Sequence, residues 1–156
     1  YGPGDNYNFE TSHVMASLIR KFFLAKKESM PNVTCWGSGS PLREFLYADD
    51  LGEAVVFTLE HWDPYSEDAP QDKNGKPLTY LNVGSGYEIS VKDLALKIAD
   101  LIQYKGSILW DEKKPDGTPR KILNCEKIKQ LGWKSTTSLE DGILKTFESF
   151  EKEHMA

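Results

Sequence analysis

The stretch Trp36–Val55, which reads WGSGSPLREFLYADDLGEAV, decides the fold class because it passes from turn to strand to helix within a few residues. Its glycines mark a turn, and the apolar run 43–47 that follows is typical of an extended segment. Asp49 and Asp50 then precede apolar residues at helical spacing, so we expect them to cap a helix. That helix is expected to bury the face that carries Leu51, Ala54, Val55 and Leu59.

The rest of the chain alternates helical and extended patterns in the same way. Further helices are predicted after the N-cap residues Ser12, Ser90 and Ser138. Short strands are predicted at 30–36 and 106–110, and the apolar run LTYLNVG at 78–84 is predicted to be a buried strand. The segment 63–77 is predicted to be a surface loop. The pattern predicts an α/β chain without a complete βαβ nucleotide-binding unit.

Length and composition favour one folded domain. The chain has 156 residues, of which 39% are hydrophobic and 12% aromatic, enough to form a core. Its 19 basic and 24 acidic residues give a net charge of -5 without a basic stripe, so nucleic acid and anionic membranes are not expected partners. No apolar run is long enough to cross a membrane and no signal-peptide pattern is present, so a cytoplasmic location is expected.

Trp36 and Arg43 are candidate ligand-binding residues. An indole beside a glycine turn can stack on a planar ring such as a nucleobase, although a tryptophan in a short strand more often belongs to the core. The Arg43 guanidinium can hold a diphosphate through paired hydrogen bonds. The alternative for this arginine is a salt bridge to Glu44 or Asp49.

His13 is the candidate for proton transfer, because an imidazole titrates near neutral pH and this one begins a predicted helix near glycine-rich turns. A surface histidine without a chemical role is the alternative.

The loop KPDGTPRK at 114–121 places charged side chains between prolines. Its basic groups can hold phosphate oxygens, and Asp116 can accept hydrogen bonds from ribose hydroxyls or base NH groups. A solvated charged loop is the alternative here.

Neither a metal site nor a phosphate-binding glycine loop is expected. Cys35 and Cys125 lie far apart, lack the spacing of metal ligands and are predicted to be buried apolar residues. The glycine pairs at 37/39 and 84/86 lack the third glycine of a dinucleotide fingerprint and the Gly-Lys of a P-loop. Nothing in these residues is therefore expected to hold a dinucleotide pyrophosphate.

Six motifs together resemble the GDP-L-fucose synthase family, which belongs to the extended short-chain dehydrogenase/reductase superfamily. They are YGPGDNY, SHVMASLIRKF, WGSGSPLREFLYADDLGEAV, YLNVGSG, WDEKKPDGTPRKILN and LGWKSTTSLEDGI. The REFLYADD motif is shared by many sugar-nucleotide enzymes, whereas SHV combined with KPDGTPRK is narrower. The resemblance is to the C-terminal half of such an enzyme. It implies that residues 1–156 form an α/β substrate-binding portion without the complete Rossmann domain.

The resemblance implies an NADPH-dependent enzyme that converts GDP-4-keto-6-deoxy-mannose to GDP-L-fucose. Such an enzyme epimerises C3 and C5 of the sugar and then reduces its C4 ketone. In this family His13 would be the catalytic acid of epimerisation and would lie near the nicotinamide of the cofactor. The residues that would contact the GDP-sugar are Lys21, Trp36, Arg43, Asp116 and Lys121.

The remaining parts of a family active site are not found in this sequence. The family's glycine-rich cofactor loop, its Ser/Tyr/Lys reduction group and the cysteine partner of the histidine belong to the other half. We therefore expect this chain alone to be inactive, with NADPH bound mainly by that half. Segments near 43–60 and 78–86 are expected to pack on the Rossmann domain and, without it, to expose apolar surface and associate. The complete enzyme is expected to be a homodimer.

Two alternatives stay open. One is another sugar-nucleotide epimerase or dehydratase, such as a UDP-sugar 4-epimerase. A preference for guanine would distinguish this chain from such an enzyme. The other is a non-catalytic module that binds a sugar nucleotide.

Overall fold

The computed structural model describes residues 1–154, which form an α/β fold of five helices and five short strands. The elements in chain order are α1 (Val14–Lys27), β1 (Asn32–Trp36), β2 (Leu42–Glu44), α2 (Ala48–His61), β3 (Glu88–Ser90), α3 (Val91–Leu101), β4 (Ser107–Asp111), β5 (Arg120–Lys121), α4 (Glu126–Gln130) and α5 (Leu139–His154). The fold class agrees with the sequence prediction.

The strands form two small sheets that flank the glycine turn of the opening stretch. Strand β1 pairs in parallel with β4, with Cys35 opposite Trp110. Strand β2 lies between β3, to which it is antiparallel, and β5, to which it is parallel. The turn at 37–40 connects β1 to β2 and therefore joins the two sheets.

The main core lies where three helices meet the β1–β4 sheet. Helices α1, α3 and α5 contact one another, and α1 also contacts β1. The fully buried side chains of this core come from positions at helical spacing, as the periodicity predicts. They include Met15, Ile19, Phe22, Leu94, Ile98, Ile143 and Phe150.

Helix α2 belongs to a smaller second cluster, and its predicted buried face is largely exposed. Of the four apolar residues expected to be buried on this helix, only Ala54 is, and it packs with Cys125, Ile128 and Trp133. Leu59 is 81% exposed, because no element among residues 1–154 covers that side of the helix. We call Leu51, Val55, Val56 and Leu59 the apolar face of α2; all four are exposed.

Two of the predicted helix caps are confirmed and two are wrong. The Ser90 and Ser138 hydroxyls accept hydrogen bonds from the amides of Asp93 and Asp141, at 2.9 and 3.1 Å. Helix α1 begins after His13 rather than Ser12, and the His13 side chain makes no capping hydrogen bond.

Helix α2 likewise begins after Tyr47, so the expected capping by Asp49 or Asp50 does not occur. Both carboxylates lie in the first turn, where negative charge is still favourable.

The apolar run 78–84 is not a buried strand, which corrects the sequence prediction. It has no strand partner among residues 1–154, and a strand needs one to satisfy its backbone groups. Tyr80 is 68% exposed, while Leu81 and Val83 pack against the second cluster. Within the part of the chain that the structure describes, no helix is both long and apolar enough to span a membrane.

Candidate functional site

A cavity of about 230 Å³ lies between the N-terminal segment, helix α1 and the end of β1. Trp36 lines it with 59% of its side chain exposed, because β1 alternates and turns Val33 and Cys35 inward. The alternative that Trp36 belongs to the core is therefore wrong. Other residues that line the cavity are Phe9, Ser12, Ser17, Lys21 and Cys35.

Two lysines lie beside the Trp36 ring. The Lys21 ammonium lies 5.7 Å from the ring centroid and donates a hydrogen bond of 2.8 Å to the Thr34 carbonyl. Burial lowers the pKa of Lys21. The Lys114 ammonium, from the loop between β4 and β5, lies 5.1 Å from the same centroid. Both distances are within the range of cation–π attraction. The contact between Lys114 and Trp36 links distant parts of the sequence, and no local signal indicates it.

Arg43 and Lys121 lie on the same face of the second sheet. They are register partners in the parallel pair β2–β5, and paired residues point to the same side. Arg43 is half-buried, donates 2.7 Å to the Leu42 carbonyl and makes no salt bridge among residues 1–154. The expected alternative of a pair with Glu44 or Asp49 is therefore wrong.

The neighbouring cation Arg120 is used differently. It points to the opposite face, where its Nε donates 2.7 Å to the Glu88 carboxylate. The hydrogen bond to Arg120 lowers the pKa of Glu88. Arg120 is thus paired with a carboxylate, whereas Arg43 and Lys121 form no salt bridge within residues 1–154.

Asp116 contacts the turn that follows Trp36. Its Oδ1 accepts a hydrogen bond of 2.7 Å from the Ser38 amide, and its Oδ2 accepts one of 2.8 Å from the Ser38 hydroxyl. These bonds lower the pKa of Asp116, since they favour the ionised carboxylate. The loop after Asp116 approaches Arg43: a Cβ placed on Gly117 would lie 3.7 Å from the Arg43 Nη2.

His13 lies at the edge of this group. It is exposed and directly precedes the first turn of α1. Its neighbours Ser12 and Val14 line the cavity, whereas His13 itself does not. The structure therefore brings together Lys21, Trp36 and Asp116 with Arg43 and Lys121 nearby, and leaves His13 open to solvent at the cavity rim.

Both glycine pairs of the chain are filled by its own carboxylates. The turn at 37–39 holds Asp116, and a Cβ on Gly37 would lie 2.2 Å from its Oδ1. The turn at 84–86 holds Glu44, which accepts 2.6 Å from the Gly86 amide. A phosphate would compete with these carboxylates for the same amides. Neither glycine turn is therefore free to receive the pyrophosphate of a dinucleotide.

Comparison with known proteins places these residues in a family context. Residues 1–69 match the model of the NAD dependent epimerase/dehydratase family. The chain is 42% identical over 148 residues to a probable GDP-L-fucose synthase 1 of Oryza sativa subsp. japonica, covering 95% of this chain and 41% of the relative. It is 39% identical over 150 residues to the GDP-L-fucose synthase of Escherichia coli K12, covering 96% of this chain and 46% of the relative.

Solved structures of enzymes that act on GDP-sugars are also similar to this chain. A GDP-L-fucose synthetase from Naegleria fowleri bound to NADP superposes with a TM-score of 0.81 at 26% identity, covering 100% of this chain and 45% of that one. A GDP-6-OMe-4-keto-L-xylo-heptose reductase from C. jejuni superposes with a TM-score of 0.83 at 27% identity, covering 99% of this chain and 52% of that one. The chain spans less than half the length of the curated relatives named above. Over the region that it spans, the chain is similar in sequence to GDP-L-fucose synthases and has the α/β fold of extended short-chain dehydrogenase/reductases.

Proposed function

We propose that this chain forms the GDP-sugar-binding part of an NADPH-dependent enzyme that converts GDP-4-keto-6-deoxy-mannose to GDP-L-fucose. The observation that carries the proposal is a pair of cations, Arg43 and Lys121, which lie on one face of the sheet and have no carboxylate partner among residues 1–154. Trp36 lines the nearby cavity together with Lys21, and Lys114 lies over the Trp36 ring. A planar apolar surface beside several cations suits a nucleoside diphosphate.

Each residue has a role that follows from its chemistry. The exposed indole of Trp36 stacks on the guanine base, and Arg43 with Lys121 holds the diphosphate oxygens. Lys21 adds positive charge at the same cavity. Asp116 accepts a hydrogen bond from a ribose hydroxyl with the acceptor capacity that Ser38 leaves free.

The proposed chemistry at the sugar is proton transfer followed by reduction. The C4 ketone acidifies the protons at C3 and C5; a base from the other half of the enzyme would remove each proton, and His13 would return one to the opposite face of the carbon that is inverted. NADPH, when bound, would supply hydride to C4, and the tyrosine of the reduction group in that other half would protonate the C4 oxygen. His13 lies within reach of solvent and at the cavity rim, so it can exchange protons with water between turnovers. His13 would also contact the nicotinamide, while the pyrophosphate is held outside the described residues.

We also propose that the segments near 43–60 and 78–86 pack on a Rossmann domain. The apolar face of α2 supports this, since its leucines and valines have no cover among residues 1–154. The run 78–84 also supports it, because its apolar residues lack a strand partner. On this view the 156-residue chain assayed by itself does not reduce the substrate.

Calorimetric titration of the chain with GDP, UDP and NADPH tests the proposed function. GDP is expected to bind while UDP and NADPH do not. Arg43→Ala should weaken GDP binding roughly tenfold to a hundredfold, because a hydrogen bond to a charged group contributes about 1.5 to 3 kcal/mol. Arg120→Ala is the matched control, since Arg120 is a neighbouring cation that faces away, and it should lower GDP affinity far less than Arg43→Ala does.

The other outcomes separate the alternatives. Equal affinity for UDP and GDP would contradict guanine recognition and favour a UDP-sugar enzyme. Equal losses from Arg43→Ala and Arg120→Ala would contradict the assignment of the diphosphate to one face of the sheet.

A further inference from the structure

The turn 37–40 is built around the Asp116 carboxylate. Both oxygens of this carboxylate accept hydrogen bonds from Ser38. Gly37 has a φ of +75° and Gly39 a φ of +77°, a conformation that other residues rarely adopt. A side chain on Gly37 would occupy the position of the carboxylate itself. Gly37 therefore allows the turn to close on Asp116.

Ser38 makes more of these contacts than any other residue of the turn. Its amide and hydroxyl each bind a different oxygen of Asp116, so together they fix the carboxylate plane. The Ser38 hydroxyl oxygen also accepts 3.1 Å from the Ser40 amide, which fixes the Ser38 rotamer. Ser40 itself makes no hydrogen bond to Asp116 in the described structure of residues 1–154. The Ser40 hydroxyl lies 2.8 Å from the Ser38 hydroxyl, so Ser40 reaches the carboxylate only through Ser38.

The contact joins the two segments that carry the cations of the site. On one side the turn follows Trp36 directly; on the other, Asp116 lies in the loop that brings Lys114 to the Trp36 ring. The same loop passes beside the Arg43 guanidinium at Gly117. Released from the turn, the far end of this loop would still be held by the hydrogen bond of 2.9 Å from the Leu42 amide to the Pro119 carbonyl, by the short strand β5 and by the Arg120 pair.

We propose that Ser38 is a positioning residue for nucleotide binding: by holding both oxygens of Asp116, it fixes the 112–119 loop beside Trp36 and Arg43. The inference rests on the proposed function, because it assigns Ser38 an effect on the same GDP site. Ser38 need not touch the ligand, and it acts through Asp116.

The test compares Ser38→Ala with the matched control Ser40→Ala in the full 156-residue chain. Ser38→Ala removes the hydroxyl that binds Oδ2 and is expected to raise the Kd for GDP about tenfold, the order expected for one hydrogen bond to a charged group. Ser40→Ala should leave the Kd unchanged. Ser38→Thr keeps a hydroxyl and should restore binding, which a general loss of stability would not predict.

A second readout does not depend on the ligand. The chain contains four tryptophans, and 5-fluorotryptophan labelling gives a ¹⁹F resonance for each, with the Trp36 signal assigned from Trp36→Phe. Ser38→Ala should shift the Trp36 resonance, because the loop that carries Lys114 moves away from the ring. Ser40→Ala should not shift it.

The outcomes separate this proposal from the proposed function. If the unmodified chain binds no GDP, the proposed function fails, and the Trp36 resonance alone decides whether Ser38 holds the loop. An unshifted resonance in Ser38→Ala overturns the proposal in either case. If the unmodified chain binds GDP, an unchanged Kd for GDP in Ser38→Ala also overturns the proposal. Equal losses of GDP affinity in Ser38→Ala and Ser40→Ala overturn it as well.

Discussion

At the scale of single residues, Tyr7 is a phenol in an apolar setting without a hydrogen-bond partner among residues 1–154. Its ring centroid lies 4.2 Å from that of Phe150. Burial raises the pKa of Tyr7 to about 12, and the nearby Asp5 and Glu153 carboxylates act in the same direction. The folded chain therefore holds this proton more tightly than the unfolded chain does, whose tyrosines titrate near pH 10.

Tyr7→Phe should make the chain less sensitive to alkali. The raised pKa contributes stability that is fully present below about pH 10 and is lost as the pH rises towards 12. Urea unfolding at pH 8 and pH 11 should show a smaller fall in the free energy of unfolding for Tyr7→Phe than for the unmodified chain. Tyr65→Phe is the control, because Tyr65 is 88% exposed and should change nothing. An equal fall in the free energy of unfolding for the unmodified chain, Tyr7→Phe and Tyr65→Phe would contradict the prediction.

The candidate site could be predicted in part from residue types. Trp36 and Arg43 beside a glycine turn predict a planar ring and an anion as ligands, and those ligands stay a prediction. The structure does show that Trp36 is exposed at a cavity and that Arg43 makes no salt bridge among residues 1–154. The contact of Asp116 with Ser38 could not be predicted, because 78 positions separate the two residues and only the fold brings them together. The same limit applies to Lys114 at the Trp36 ring.

At the scale of elements, Asp50 joins helix α2 to the segment before α5. Its buried carboxylate is 2% exposed and accepts hydrogen bonds from the Thr136 hydroxyl and from the amide and hydroxyl of Thr137. Asp50 is therefore neither a helix cap nor a catalytic carboxylate of the described cavity. It fixes where α2 lies relative to the C-terminal helix.

Asp50→Ala should destabilise the chain by about 3 kcal/mol, because it leaves the Thr137 amide and two hydroxyls without their charged acceptor. Asp49→Ala is the matched control in the same turn. Asp49 is exposed and accepts no side-chain hydrogen bond in the described residues, so its removal should change stability little. Urea unfolding of the two variants measures the difference, and similar losses in both would contradict this role for Asp50.

Helices were easier to predict than strands for a physical reason. The periodicity that indicates α1, α3 and α5 lies within each segment, since hydrogen bonds in a helix join residues four apart. Strands β3 and β5 have three and two residues, and they exist only because β2 lies between them. The run 78–84 shows the converse, because its composition is typical of a strand but no strand lies beside it among residues 1–154. It therefore does not form a strand.

At the scale of the whole molecule, the chain has one packed side and one open side. The helices α1, α3 and α5 bury their apolar residues in a single core. The apolar face of α2 lies outside it, beside a groove that Trp62, Tyr80 and Leu81 help to line. Contiguous exposed apolar surface of this kind favours association in water. The expectation that this region exposes apolar surface is thus confirmed, while its cover by a Rossmann domain stays a proposal.

The isolated chain should therefore associate through the apolar face of α2. Sedimentation velocity over a range of concentrations should show an average mass that rises with concentration. Leu59→Glu should suppress this rise, because it places a charge on the most exposed residue of that face. Leu96→Glu is the matched control: Leu96 is 51% exposed on α3, away from α2, and the same substitution there should leave association unchanged. A chain that stays monomeric at every concentration, or equal effects of the two substitutions, would show that this face does not drive association.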